Sequence, residues 1–199
     1  MKGLLPMRFR TRSLAALALI ASLAGSPAPA APVSRQDAQP GTVFRRTALV
    51  VRDMTPSLAF YRDALGLVVT DDRTKRTPVD AATDAEAASV LRMVLLRSTD
   101  DYVGELELIQ FVKPARAPLP ELAEHQRSPG SFVLMFATRN MTDSVRKAVA
   151  VPGVRVDEAP HKYTYPAYKG GGTTTDIVGI LRDPDANFIE LIEPSAGLP

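Results

Sequence analysis

The chain has 199 residues and a formal charge of +2, from 24 Lys and Arg against 22 Asp and Glu, and is 45% hydrophobic and 23% charged. That balance supports a buried core and excludes a globally disordered chain. The absence of Cys excludes disulfides, thiolate metal sites and a Cys nucleophile, and two His leave little room for a multi-histidine centre.

Residues 1–12 hold Lys2, Arg8, Arg10 and Arg12 and no acid, residues 14–24 (LAALALIASLA) are apolar, and residues 26–31 read SPAPAA. A basic stretch, an apolar run and small residues form the pattern of a secretory signal peptide. The run is shorter than the roughly 20 residues that span a bilayer. Ala28-Pro29-Ala30 is the best cleavage site, so residues 1–30 are expected to be removed and the protein exported, periplasmic or secreted. Arg8, Arg10 and Arg12 are not adjacent, so no twin-arginine signal is present. Without the leader 20 bases face 22 acids, a net of −2. The pI of about 9.0 therefore belongs to the leader. It points neither to nucleic acid nor to a membrane partner after cleavage. Residues 31–42 are expected to be a flexible tether.

An internal repeat organises the rest. Arg52-Asp53-Met54-Thr55-Pro56-Ser57 returns as Arg139-Asn140-Met141-Thr142-Asp143-Ser144, and Leu106-Glu107-Leu108-Ile109 returns as Ile189-Glu190-Leu191-Ile192. Two matches in the same order at similar offsets indicate a duplicated module. Module one spans residues 43–112 and module two residues 131–195. Residues 113–130 carry Pro114, Pro118, Pro120 and Pro129 and form a linker.

In module one, residues 47–51 (TALVV) are a predicted strand. Thr55 is the expected N-cap, Pro56 the first helical residue, and Gly66 the left-handed cap that ends the helix. Residues 67–70 are the second strand, 71–76 a charged solvated loop, 78–89 a helical insertion, and 90–97 and 105–112 two more strands. Module two repeats the order: strand 132–137, helix 142–149, and strands 155–156, 176–181 and 187–193. Asp183-Pro184-Asp185-Ala186-Asn187 makes the turn before the last strand.

The fold class is therefore α+β, two βαβββ modules forming one curved mixed sheet around a central cavity. Period-2 alternation assigns the faces. Arg46, Ala48 and Val50 face the cavity from the first strand, and Glu105, Glu107 and Ile109 from the fourth. Val133, Met135 and Ala137, with Phe188, Glu190 and Ile192, face it from module two. Glu107 and Glu190 occupy equivalent positions.

Residues 47–67 (TALVVRDMTPSLAFYRDALGL) and 180–194 (ILRDPDANFIELIEP) resemble the vicinal oxygen chelate superfamily, the glyoxalase / bleomycin resistance / extradiol dioxygenase fold. The resemblance covers about residues 43–195. It implies the paired modules and the cavity, and in metal-dependent members a divalent ion held from the first and last strands of each module. Glu107 and Glu190 match the family's last-strand carboxylates. Arg46 and Val133 stand where the first-strand ligands would be. An arginine has no lone pair to give, and a valine gives nothing. Two carboxylates are too few for tetrahedral zinc or octahedral iron. No cofactor is expected, with a divalent metal the lesser alternative.

A buried arginine among carboxylates is expected to pair with one of them, Glu107 or Glu190. The pair is either a structural plug or a polar anchor for an acidic or amide ligand. His161, Tyr163, Tyr165 and Tyr168 lie in a polar-aromatic stretch that either folds over the cavity mouth or is a plain surface loop. His125, in the linker, is expected to be solvent-exposed. The first functional reading is an exported protein that binds a small organic molecule in the inter-module cavity. Arg46, Glu107, Met135, Tyr165 and Glu190 are its binding candidates. The second is a glyoxalase- or dioxygenase-type enzyme with Glu107, Glu190 and His161 as catalytic candidates. The third is a structural or partner-binding module. The architecture also admits a homodimer.

Overall fold

The computed structural model describes residues 44–98, 104–118, 127–167 and 170–198. The expected signal peptide and tether lie outside them, as do His125 and Tyr168.

Module one runs β1 (Arg46–Val51), α1 (Met54–Leu58), a π-helical turn (Ala59–Ala64), β2 (Val68–Thr77), β3 (Ser89–Arg97) and β4 (Glu105–Lys113). Module two runs β5 (Val133–Ala137), α2 (Met141–Val149), β6 (Arg155–Pro166), β7 (Thr173–Arg182) and β8 (Phe188–Glu193). Each module makes a four-stranded mixed sheet with the same order, β1-β4-β3-β2 and β5-β8-β7-β6. The first and last strands of each module pair in parallel, and the other ladders are antiparallel.

The duplication extends to the helix starts. Asp53 caps α1 by accepting from the Thr55 N–H, and Asn140 caps α2 by accepting from the Asp143 N–H, both at 2.9 Å. The cap of α1 is thus Asp53 and not Thr55, which lies inside the helix. An aspartate one residue outside the first turn offers a charged acceptor that a threonine hydroxyl does not match. Gln110 Oε1 on β4 accepts from the Met54 N–H at 3.1 Å, and Glu193 Oε2 on β8 accepts from the Met141 N–H at 2.5 Å. Each last strand therefore supplies a second acceptor to its module's helix.

After Leu58 the helix widens: the Leu65 N–H donates to Phe60 O, five residues back, at 3.0 Å. Phe60 and Tyr61, adjacent in sequence, are both 0% exposed there and meet edge to face at 4.9 Å. Gly66 ends the segment at φ +82°, a conformation that a Cβ disfavours.

Three segments depart from expectation. Residues 71–76 are strand, part of β2, and residues 78–88 form turns instead of a helix. Residues 160–166 belong to β6, so the polar-aromatic stretch is a long strand and not a lid loop. In β2 and β6 most side chains on both faces are exposed. No apolar alternation marks such strands, and the ladder to β3 or β7 holds them. Pro160 lacks an N–H and sits where the β6–β7 register shifts. Gly179 makes room for it, since a Cβ there would stand 3.2 Å from Pro160 Cγ.

One core serves both modules. Leu49, Leu106 and Leu108 of module one and Leu181, Ile189 and Leu191 of module two belong to a single buried cluster, with Phe60 and Tyr61 in it. The faces follow the expected alternation: Leu49 and Val51 are buried, while Ala48 and Val50 are exposed. Burying such side chains contributes about 1.5–3 kcal/mol each.

Candidate functional site

The face turned away from the core carries the charged candidates. On β1, Arg46 stands directly across the parallel ladder from Glu105. Its Nη2 lies 3.3 Å from Glu105 Oε2, and its Nη1 donates to Glu107 Oε2 at 3.3 Å. The expected pairing with Glu107 is present, and Glu105 is a second partner. Glu105 and Glu107 are two residues apart on one strand, so pleating points both at the same guanidinium. Glu105 is buried and its Oε2 makes no well-aligned hydrogen bond, so charge compensation by Arg46, with Arg45 Nε at 4.0 Å, is what tolerates it there.

Glu190 and Met135 are register partners on β8 and β5. Glu190 makes no hydrogen bond or ion pair to other described residues, and Met135 is 60% exposed. Val50 is 57% exposed on the matching face of module one. The structure therefore pairs Arg46 with Glu107 but not with Glu190. Val133, on β5, contributes an apolar side chain only.

Two further candidates have other partners. Tyr165 donates to Asp176 Oδ2 at 2.5 Å, and Asp176 also accepts from the Ser195 N–H at 2.9 Å. These donors, the Ser195 N–H first, hold the Asp176 carboxyl below its ordinary range. His161 lies 3.4 Å from Glu158 on the exposed face of β6, with its ring 6.3 Å from that of Tyr163. Neither residue meets the Arg46 cluster in an ion pair or hydrogen bond.

A second feature joins the modules. Arg52, just after β1, donates from Nε to Asp185 Oδ1 at 2.7 Å and from Nη2 to Pro184 O, clamping the turn of module two. Inside that turn, buried Asp183 accepts from Tyr61 Oη at 2.7 Å and from the N–H groups of Asp185 and Asn187. Burial raises the Asp183 carboxyl above its ordinary range, with those donors partly offsetting it, and raises the Tyr61 phenol well above its own. Arg182, also buried, donates to Asp157 and lies 3.5 Å over the Phe188 ring.

Beside this clamp lies a pocket of about 590 Å³. Its walls come from the end of β1, the end of β4, the linker, and the turn into β8, with Val50, Phe111, Phe132 and Phe188 among the apolar residues. None of Arg46, Glu105, Glu107, Met135 or Glu190 lines it. Sequence reasoning missed Arg52, Phe111, Phe132 and the linker arginines. These residues are far apart in the chain, and the β1–β4 ladder, the Arg52–Asp185 contact and the described ends of the linker bring them together. The cavity-facing alternation of β1, extended to Val50, was the one available signal.

Residues 43–191 match the model of the Glyoxalase/Bleomycin resistance protein/Dioxygenase superfamily. The chain belongs to this superfamily. Among solved structures, a glyoxalase family protein from Bacillus cereus aligns with a TM-score of 0.58 at 14% identity, over 76% of this chain and 93% of that one. The protein SMU.1112c aligns with a TM-score of 0.51 at 22% identity, over 77% of this chain and 100% of that one. At these identities the likeness is one of fold. A search of curated proteins finds no match. Within the superfamily's metal-dependent pattern, the donor set here does not fit a divalent ion. Arg46 is a fixed cation without a lone pair, Val133 has no donor atom, and Glu107 is engaged by Arg46. Among the described residues no cluster of three or more His, Asp or Glu is arranged to hold a metal.

Proposed function

We propose that this superfamily member is an exported protein that binds a small organic molecule between its modules without a metal. The pocket of about 590 Å³ carries the reading. Its volume falls within the roughly 300–1,000 Å³ of small-molecule sites, and both modules and the linker build it. Export rests on the leader pattern of residues 1–30. The metal-free reading rests on Arg46, whose guanidinium already compensates Glu105 and Glu107.

The enzymatic alternative keeps one foothold. Glu190 makes no hydrogen bond or ion pair to other described residues, so its carboxylate is open to a substrate, whereas Glu107 is engaged by Arg46.

Elemental analysis combined with a fragment screen by thermal shift tests the proposal. Purified mature chain is expected to carry only trace metal and to be stabilised by a subset of fragments. Ala117→Trp, which fills the pocket from the linker, is expected to abolish that stabilisation while leaving the unliganded Tm within about 2 °C. One tightly bound Fe, Mn, Ni or Zn per chain overturns the metal-free reading. Fragments that stabilise the Ala117→Trp variant equally overturn the choice of pocket.

A further inference from the structure

We infer that the inter-module pocket selects a small organic anion with an aromatic body, an aryl or arylalkyl carboxylate, and that Arg116 is its anion-recognising group. The inference rests on the pocket reading above and adds the ligand's chemical class.

Three observations carry it. The first is the wall: Val50, Phe111, Phe132 and Pro129 give an apolar slot with aromatic surface for a ring to pack against. The second is the charge left over at the wall. Asp185 is the one acid among the described lining residues, and Arg52 neutralises it through Nε at 2.7 Å. Arg116 is also a lining residue, and its cation is not cancelled by any acid of the described residues.

The third observation is how the linker arginines are held. The Arg116 guanidinium lies 4.8 Å over the Phe111 ring, and that of Arg127 lies 5.2 Å over the Phe188 ring. Both rings belong to the pocket wall. Neither arginine makes a hydrogen bond or ion pair to other described residues. A cation–π contact holds a guanidinium without an acceptor atom, so the N–H groups not aimed at the ring stay able to donate. Those groups form the fork that a carboxylate meets in two parallel hydrogen bonds. Arg116 is thus held by Phe111 without being consumed by it. Arg127 adds a second positive charge on the Phe188 side and favours an anion over a neutral isostere.

A matched series tests this in protein-observed NMR titrations: phenylacetate, phenylacetamide and phenethylamine share one ring and differ in charge. Phenylacetate is expected to shift the amides of Phe111, Ser131 and Phe132. It is expected to bind at least about tenfold more tightly than the other two, the worth of one charge-assisted contact. In Arg116→Gln, which keeps a planar donor without the charge, the preference is expected to fall to within about twofold. Arg127→Gln is expected to reduce it partially. Both side chains are exposed in the linker, so both variants should keep the wild-type spectrum away from the pocket. Equal binding of amide and carboxylate overturns the anion assignment and leaves the pocket reading standing. An undiminished preference in Arg116→Gln overturns the role of that residue. If phenylacetate shifts no pocket amide, the ligand class is wrong. The pocket reading itself falls only if no fragment of any class depends on Ala117.

Discussion

Asp176 on β7 is buried, and two donors reach its carboxylate: the Ser195 N–H at 2.9 Å and the Tyr165 hydroxyl at 2.5 Å. Together they tie the residues after β8 to the β6–β7 hairpin. Because these donors favour the charged form, the folded protein binds a proton at Asp176 less readily than the unfolded chain does. An acid of that kind adds stability above the ordinary Asp range, and the contribution is lost as pH falls through the depressed value. Asp183 has the opposite sign. Its carboxyl is raised by burial, so its contribution is fullest below the ordinary Asp range and is lost as pH rises through the raised value. Asp176→Asn keeps the shape and the Ser195 acceptor but removes the charge. At about pH 7 its Tm is expected to lie about 2–4 °C below wild type, and the two curves should converge as the solution is acidified. Tm curves that stay parallel to low pH would show that the Asp176 charge does not contribute.

At the scale of elements, the duplicated modules offer an internal comparison. Asp53 and Asn140 hold equivalent cap positions, although α1 has five α-helical residues before it widens and α2 has nine. Asp53→Ala and Asn140→Ala are each expected to cost about 1 kcal/mol in urea denaturation with unchanged m-values, and Asp53→Asn to recover most of the loss. A neutral Asn140→Ala would mean that Glu193, which reaches the Met141 N–H, caps α2 alone. The same elements show what a sequence makes legible. The Arg-x-Met-Thr repeat located both helix starts, and the apolar alternation of β1 and β4 brought Arg46 to Glu107. Residues 71–76 and 160–166 were misread because a strand with two polar faces carries no period-2 signal. Residues 78–88 misled in the other direction. Their Ala and acids favour a helix, but Arg76 and Lys113 hold Asp84 and the backbone carbonyls of Asp84 and Ala85 in turns. The pocket was illegible for a third reason: its wall residues share no period or motif, and tertiary contacts between distant segments set their meeting.

Across the whole molecule, hydrogen bonding and packing divide the chain differently. The strands form two sheets, one per module. The apolar cluster crosses between them: the Tyr61 ring meets that of Phe136 at 6.2 Å, and the Tyr61 hydroxyl reaches Asp183. If the ladders set the cooperative units, each module opens separately; if the core sets them, both open together. The magnitudes favour the core. A backbone hydrogen bond nets about 1 kcal/mol and is largely replaced by water when a sheet opens, whereas exposing one half of a shared core also strips the other half of its cover. Leu108, fully buried on β4, is the probe. Leu108→Ala is expected to cost about 2–5 kcal/mol. Native-state hydrogen exchange should register that loss on the slowest amides of β7 and β8 as well as those of β3 and β4, since residues in one cooperative unit share one opening free energy. Protection that falls in β3 and β4 while β7 and β8 keep wild-type values would instead make the modules independent units. The inter-module pocket would then be a junction that opens without unfolding either side.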